Sequence, residues 1–480
     1  MKRFSFVLVL VIVAQITFSQ SVTLDQLVIP ATHFMKIKHP GSAVSSTEVI
    51  SGADSQPLGW IVNFSPSGFM IVPASRKVTP VLGYSSIGSC DLPVSEKCIF
   101  LDFVRRDIQN RILAWEALAP HARERVTVAW SQFLSEKADS SGFQQWPPEG
   151  TTSTQGWLAT NWTQSAPYNA MCPMDLNTGN RSVVGCPATA MAQILNFHKK
   201  IHQTRLDDGD DYYHSYGAGN SYWIDNDYIP RDFPCFDSLN VYLAAIEEIW
   251  LNGGTFTSKL KAALSFACGV TAHQVYTSSV SGTFGLEQAL MSFQRFGYTA
   301  SRIIYPEDTT LNSLIAEDIK VARPVQLGLL IDGGGGGHNV VVDGYNTDEF
   351  YHFNFGWGGS ANGWYTLPPT SIPYNLTIIE SAVVDIIPVI GVGVDPVAEN
   401  AVVPVLFPNP VRNVLYISGM TASGVITLFD QSGKTVLSES VEVASPCIDV
   451  SDILPGTYLY RLEMAGAPCR TGVLVKAAVK

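Results

Sequence analysis

Val184-Gly185-Cys186-Pro187-Ala188-Thr189-Ala190-Met191-Ala192-Gln193-Ile194-Leu195-Asn196-Phe197-His198 is the stretch on which the reading of this chain turns. Proline suits the first turn of a helix, where its missing N–H costs nothing. Behind Pro187, the residues Ala188, Met191, Ala192, Leu195 and His198 recur at helical spacing. The pattern predicts a mostly buried helix with Cys186 at its N-terminal end. Unpaired backbone N–H groups and the positive end of the helix dipole converge there, and both favour a thiolate, the nucleophilic form of cysteine. A lone cysteine in such a place is more often a small core residue, so its partners further along the chain decide.

An apolar strand expected over residues 324–331 runs into Asp332 and five glycines, Gly333 to Gly337, and His338 then opens a second strand. No helix and no Gly-Lys-Ser/Thr follows, so these glycines are not a phosphate cradle. They permit close approach of another backbone, such as a peptide substrate, with Gly337 next to the histidine. A further strand, Phe350-Tyr351-His352-Phe353-Asn354, leads into Phe355-Gly356-Trp357. Antiparallel pairing of the two strands sets Asn354 beside His338, where it fixes the ring tautomer, with Trp357 shielding the contact from water. A His–Cys contact then makes the ion pair. Gln164 lies about twenty residues before Cys186, and its amide suits an oxyanion provided its loop folds back beside the cysteine. Ser281 sits in a small-residue loop, 276–283, that reads as substrate-cleft lining or as plain linker. Two other histidines compete for the role of base. His198 lies on the Cys186 helix about three turns away and is out of reach. His352 lacks the glycine loop and ranks below His338.

The rest of the chain gives these residues their setting. Its 480 residues argue for more than one domain, and 46% hydrophobic content allows large cores. A net charge of −12 argues against a nucleic-acid partner. Met1-Lys2-Arg3 followed by an apolar run to Ile16 reads as a secretory signal peptide over residues 1–19, too short to span a bilayer. No later segment reaches spanning length, so no transmembrane span is expected. The eight cysteines show no paired metal-ligand spacing and no metal is expected; Cys90/Cys98 and Cys447/Cys469 are each close enough in sequence to form bridges. The acidic run Asp207 to Asp211 lacks the spaced ligands of a calcium loop and reads as a solvated loop.

Residues 20–150 read as a small α+β unit, with a hairpin over 60–72 and an amphipathic helix over 100–118, and without a cluster of catalytic residue types. A polar stretch, 136–155, follows as an exposed and cleavable linker. An inert domain, a linker and then a nucleophile suggest a zymogen. Residues 151–388 carry the chemistry, with helices expected over 241–251, 256–266 and 286–296. A linker over 389–402 precedes residues 403–480, where short strands with regular turn signals predict a β-sandwich without catalytic groups.

Taken together, these residues resemble the streptopain-like cysteine peptidases of the papain superfamily. The resemblance rests on Trp162-Thr163-Gln164, Pro167-Tyr168-Asn169, Cys172-Pro173, Gly185-Cys186 through His198, Gly336-Gly337-His338 through Gly344, and Phe350 through Gly359. The hairpin over 60–72 and Pro80-Val81-Leu82-Gly83-Tyr84 resemble the family's inhibitory propeptide. The resemblance implies Cys186 as nucleophile, His338 as general base and acid, Gln164 with the Cys186 N–H as oxyanion hole, and Asn354 as orienter of His338. It departs at Asn354-Phe355-Gly356-Trp357, where the family usually has Asn-Trp-Gly-Trp. Gly337, Trp357 and Ser281 are the candidate substrate-binding residues. The tail's Pro408-Asn409-Pro410 start, Ser432-Gly433-Lys434 turn and Pro455-Gly456-Thr457-Tyr458 end resemble type IX secretion sorting domains.

The expected architecture is therefore α+β: a papain-like domain with helical and antiparallel β halves, preceded by a small α+β propeptide and followed by a β-sandwich tail. The expected function is a secreted cysteine endopeptidase made as a zymogen. It needs no cofactor and takes protein or peptide substrates. Its other partners are its own propeptide and the type IX machinery, and it ends outside the cell or on its surface. A catalytically silent adhesin on a peptidase scaffold, an amidase or acyl transferase, and a carbohydrate- or protein-binding tail are the competing readings.

Overall fold

A computed structural model of the chain describes residues 21–135, 142–217, 219–331, 336–369, 377–389 and, with short gaps, 404–477. The expected signal peptide, residues 136–141 and glycines 333–335 lie outside the described residues. The chain forms two compact units, divided between Val389 and Ile390.

The first unit is built on one antiparallel sheet. Its strands are β1 (Ala43–Ser51), β2 (Pro57–Ser65), β3 (Phe69–Pro73), β4 (Gly83–Ser85), β5 (Gln145–Trp146), β6 (Arg302–Ile304), β7 (Val325–Leu330), β8 (Gly337–Asn346), β9 (Phe350–Asn354), β10 (Gly363–Thr366) and β11 (Ile379–Val384). They run in the order β1-β2-β3-β4-β10-β9-β8-β7-β11-β6, with β5 paired to β8. The segment expected to be a separate N-terminal domain is thus not a separate body. Its β4 pairs with β10 through Trp364↔Tyr84 and Tyr365↔Gly83. The physical reason is the edge: without β4, the outer side of β10 presents unpaired N–H and C=O groups. Gly83 has to be small there, because a Cβ would meet the Tyr365 ring at 2.4 Å.

Alternation along β8 divides the core. Val341 packs in the cluster that includes helix α4 (Cys186–His198), whereas Val340 and Val342 pack in the cluster that includes α2 (Val94–Ala114). Successive side chains on a strand point to opposite faces. The consequence falls two residues earlier: His338 shares the α2 face with Val340, and Asn339 shares the α4 face with Val341.

Two helices beyond the expected elements also carry local signals in the sequence. α1 (Leu24–Lys38) opens with the Thr23 N–H donating to Gln26 Oε1 at 3.1 Å, and α3 (Pro120–Leu134) opens on proline. The indole of Trp130 on α3 donates to the Val78 carbonyl at 2.7 Å and ties that helix to the β1–β4 layer. The second half of the expected linker is also structured. Trp146 stacks on Tyr345 with ring centroids 6.0 Å apart, and the Thr154 hydroxyl donates to the Leu158 carbonyl at 2.6 Å. Cys90 is buried and Cys98 exposed, and both are free thiols; Cys469 lies outside the described residues. Asp210 pairs with Arg295 at 2.8 Å.

A buried pair anchors the chain where it enters residues 156–158. His352 Nδ1 lies 2.6 Å from Asp343 Oδ1, and Asp343 Oδ2 accepts the Leu158 N–H at 2.9 Å. Gly156 is required beside it, since a Cβ would sit 2.1 Å from Asp343 Oδ2. Gly156→Ala is expected to lower stability by about 1–3 kcal/mol, the usual cost of overpacking. An unchanged urea midpoint would refute that close contact.

The second unit is a small sandwich of two antiparallel sheets. Strands Val405–Phe407, Val414–Ser418 and Cys447–Asp449 form one sheet. Strands Thr435–Val441, Gly424–Phe429, Gly456–Met464 and Arg470–Lys476 form the other. Leu415, Ile417, Ile426, Leu428, Leu462 and Leu474 fill the space between them.

Candidate active site

Cys186 opens α4, as its sequence requires. Gly185 turns the chain into the helix with φ +87°, and a Cβ there would meet Ser281 O at 2.7 Å and Gln274 Oε1 at 2.9 Å. Glycine is thus fixed by backbone conformation and by crowding together. The residue is partly exposed, but the atoms packed round its sulfur strip away solvent. That desolvation pushes the thiol up to about 11, against hydrogen bonds from Asn339 and from its own backbone, and the nearby Glu380 carboxylate adds to the rise. The thiolate expected from the helix N-terminus is therefore absent in this state: burial outweighs the dipole.

His338 is buried, with 3% of its surface exposed. Its Nε2 lies 2.8 Å from the Phe355 carbonyl, so the ring carries its proton there as the donor. Trp357 stacks on the ring at 4.5 Å, Phe355 lies at 6.1 Å, and Phe103 of α2 lies at 6.2 Å on the α2 face. Desolvation in this aromatic box lowers the imidazole to about 4, with the Phe355 carbonyl opposing the shift. Among the described residues no hydrogen bond joins His338 to Cys186. The place beside the thiol is taken by Asn339, whose Oδ1 also accepts from Gln326 Nε2 at 2.7 Å.

Asn354 ends β9 opposite Val341. Its Nδ2 donates to the Thr160 carbonyl at 2.9 Å and its Oδ1 accepts the Gly356 N–H at 3.0 Å. It does not reach His338 in this arrangement; the carbonyl of the next residue does. Gln164 is brought to the cysteine, because its carbonyl accepts the Val184 N–H at 2.8 Å, two residues before Cys186. Ser281 is placed there too, with its carbonyl against Gly185, while its hydroxyl is bound at 3.1 Å to Thr277 within its own loop. Gly337 is exposed at the start of β8, and a Cβ there would meet Leu329 O at 2.6 Å. His352 is committed to Asp343. His198 is at the far end of α4, where burial lowers it to about 4.

Three participants escape a reading of the sequence: Gln193, Asn339 and Phe103. Gln193 is fully buried on α4. Its Oε1 accepts from Thr160 Oγ1 at 2.9 Å and from the Trp162 N–H at 3.2 Å. Its only signal is an uncharged polar side chain in a helix that is otherwise largely apolar. Phe103 and Asn339 carry no local signal, because their roles depend on which face of β8 they meet.

Residues 162–365 match the Peptidase C10 family, and residues 405–475 match the Secretion system C-terminal sorting domain. The chain is similar to streptopain of Streptococcus pyogenes serotype M28, with 26% identity over 331 residues, 64% of this chain and 73% of that protein. It is also similar to the thiol protease/hemagglutinin PrtT of Porphyromonas gingivalis, with 27% identity over 216 residues, 43% of this chain and 23% of that protein. Among solved structures, a fragment of prointerpain A from Prevotella intermedia aligns with a TM-score of 0.46 and 20% identity, over 72% of this chain and 99% of that one.

Proposed function

We propose that this chain, a cysteine peptidase of the streptopain family that carries a C-terminal secretion sorting domain, is a secreted endopeptidase held latent by its own N-terminal segment. The observation that carries the reading is the position of His338: on the α2 face of the sheet, boxed by Phe103, Phe355 and Trp357, while Cys186 waits on the other face beside Asn339. α2 is bound to the sheet where it covers this box. Phe100 meets the Phe355 ring at 5.7 Å. Arg106 donates to the Ile331 carbonyl at 2.9 Å, and Arg111 to the Leu367 carbonyl at 2.8 Å. The propeptide spans residues 20–150, the catalytic domain 151–388, and the sorting domain 403–480 after a linker over 389–402. A signal peptide over residues 1–19 directs the first export step, and the tail directs passage across the outer membrane.

Activation removes α2, which opens one wall of the box. The first residues of β8 then rearrange so that the imidazole crosses to the α4 face; the adjoining glycines make that change of backbone inexpensive. In the open site His338 takes the Cys186 proton, and the thiolate–imidazolium pair forms. The thiolate attacks a peptide carbonyl. The Cys186 N–H and the Gln164 amide hold the oxyanion. His338 gives its proton to the departing amine as the C–N bond breaks, leaving a thioester. Water then attacks the thioester while His338 takes its proton; the acid product leaves and the thiol is restored.

The test is labelling with a thiol-directed peptidyl epoxide. The processed protein should be labelled at Cys186 and the intact precursor should react at least about tenfold more slowly, consistent with a neutral thiol and a sequestered base. Absence of labelling after removal of residues 1–150 by an added protease would instead favour a silent binding scaffold. Labelling without cleavage of protein substrates would favour an amidase or acyl transferase.

A further inference from the structure

We propose that Gln193 is the positioning residue that holds the nucleophile helix, the oxyanion-donor loop and the end of β9 at Asn354 in one register. The inference rests on the peptidase reading above. Gln193 lies two turns along α4 from Cys186, about 10 Å down the helix. It never approaches a reacting atom, yet its amide is the point where three segments of the site meet. Its Oε1 accepts the Thr160 hydroxyl and the Trp162 N–H. Its Nε2 faces Asn354 Oδ1 at 3.4 Å, and Asn354 Nδ2 faces Gln193 Oε1 at the same distance.

Each contact leads to a functional atom in two steps or fewer. Trp162 lies two residues before Gln164, whose carbonyl accepts the Val184 N–H and so returns the chain to Cys186. The loop from Cys186 through Gln193, Trp162, Gln164 and Val184 is therefore closed by hydrogen bonds. Asn354 ends β9 and precedes Phe355, whose carbonyl holds His338 Nε2 in the latent arrangement. The Phe355 N–H is itself fixed by Asn362 Oδ1 at 2.9 Å, and Asn362 donates to Asn161 Oδ1 at 3.1 Å, so the 160–162 loop and the 354–362 turn are stitched twice. A side chain that only filled core would be apolar at this depth, since burying an amide is costly unless every bond is made. Here the amide is fully buried and satisfied from both sides.

The effect should fall on the transition state. Gln164 and the Cys186 N–H must sit about 3 Å from an oxygen whose position changes as the carbonyl becomes tetrahedral, and a shift of a few tenths of an ångström weakens that contact more than it weakens substrate binding. The experiment uses self-processed full-length protein, titrated for active sites with an irreversible epoxide. Gln193→Met keeps the volume and removes the hub; Gln193→Glu keeps acceptors for Thr160 and Trp162 and loses the donor to Asn354. Per titrated site, kcat should fall about 10–100-fold with KM within about threefold. Affinity for a peptide aldehyde, which forms an oxyanion on Cys186, should fall in step with kcat. Alkylation by iodoacetamide, which forms none, should change by less than about twofold.

Unchanged kcat and aldehyde affinity in both variants would overturn the proposal. So would an equal fall in kcat, aldehyde affinity and alkylation, the mark of a merely structural role. Failure of the wild type to hydrolyse any protein substrate would strike the peptidase reading itself, and is told apart because the variants then have no reference activity to lose.

Discussion

Cys186→Ala should abolish self-processing and lower kcat/KM on a peptide substrate by at least about 10⁴-fold, the loss expected when the nucleophile of a covalent mechanism is removed. The change deletes one sulfur at a partly exposed position at the start of a helix. Alanine is the best helix former, and Gly185 and Pro187 continue to set the turn. Stability should therefore change little, so that lost activity can be assigned to chemistry. Intact mass after incubation with reductant is the direct readout: the wild type should shed its first ~135–150 residues, as the polar stretch before the catalytic segment suggests, and the variant should stay whole. A variant that still processes itself would remove Cys186 from the reaction.

Acid should loosen the latent state. His338 is lowered from 6.5 to about 4 in its aromatic box, and once released into solvent it regains its ordinary value of 6.5. The sign follows from proton binding. Above pH 6.5 the imidazole is neutral in both states and the latent form is fully favoured. As pH falls from 6.5 to 4 the released form binds a proton that the latent form refuses, and the lock weakens about tenfold per unit. Below 4 both forms are protonated and the effect stops growing. Among the described residues the groups on the ring are Phe103, Phe355, Trp357 and a backbone carbonyl, and none of these is a carboxylate that would offset the loss. In Cys186→Ala precursor, amide protection along β8, corrected for intrinsic exchange, should fall about 20-fold between pH 7 and pH 5. His338→Phe in the same background should remove that dependence. Protection that is independent of pH in the parent would refute the lock.

Much of the site is legible because its signals are local. The Gly185-Cys186-Pro187 turn, the helical spacing behind it and the strand opened by His338 each depend on residues a few positions apart. Local signals also carry Gln164 as far as its loop, and the Val184 N–H ties that loop to the Cys186 turn by binding the Gln164 carbonyl. Asn354 shows where this kind of reading stops. The group that holds His338 is the Phe355 carbonyl, and a backbone carbonyl has no side-chain identity to read. Phe355 itself, where the resembling family usually has tryptophan, packs at 5.0 Å from Trp357 and 5.6 Å from Tyr365 within the aromatic stack.

The N-terminal segment shows the same limit at a larger scale. Its hairpin and its amphipathic helix are predicted, and α2 is found over Val94–Ala114. Its joining to the catalytic sheet is not, because the Trp364↔Tyr84 pairing brings together residues far apart in the chain and rests on an edge that no single segment displays.

The sequence by itself determined the residue types of the candidate site, the order in which they occur, the helix that presents the cysteine and the β-rich character of the tail. Periodicity, turn chemistry and side-chain reactivity are properties of short stretches, and short stretches are enough to reveal them. Only the tertiary structure decided which face of β8 each residue occupies. Alternation along a strand leaves two choices, related by a shift of one residue. The packing of Val341 against the α4 cluster and of Val340 and Val342 against the α2 cluster selects the one that turns Asn339 to Cys186 and His338 away from it.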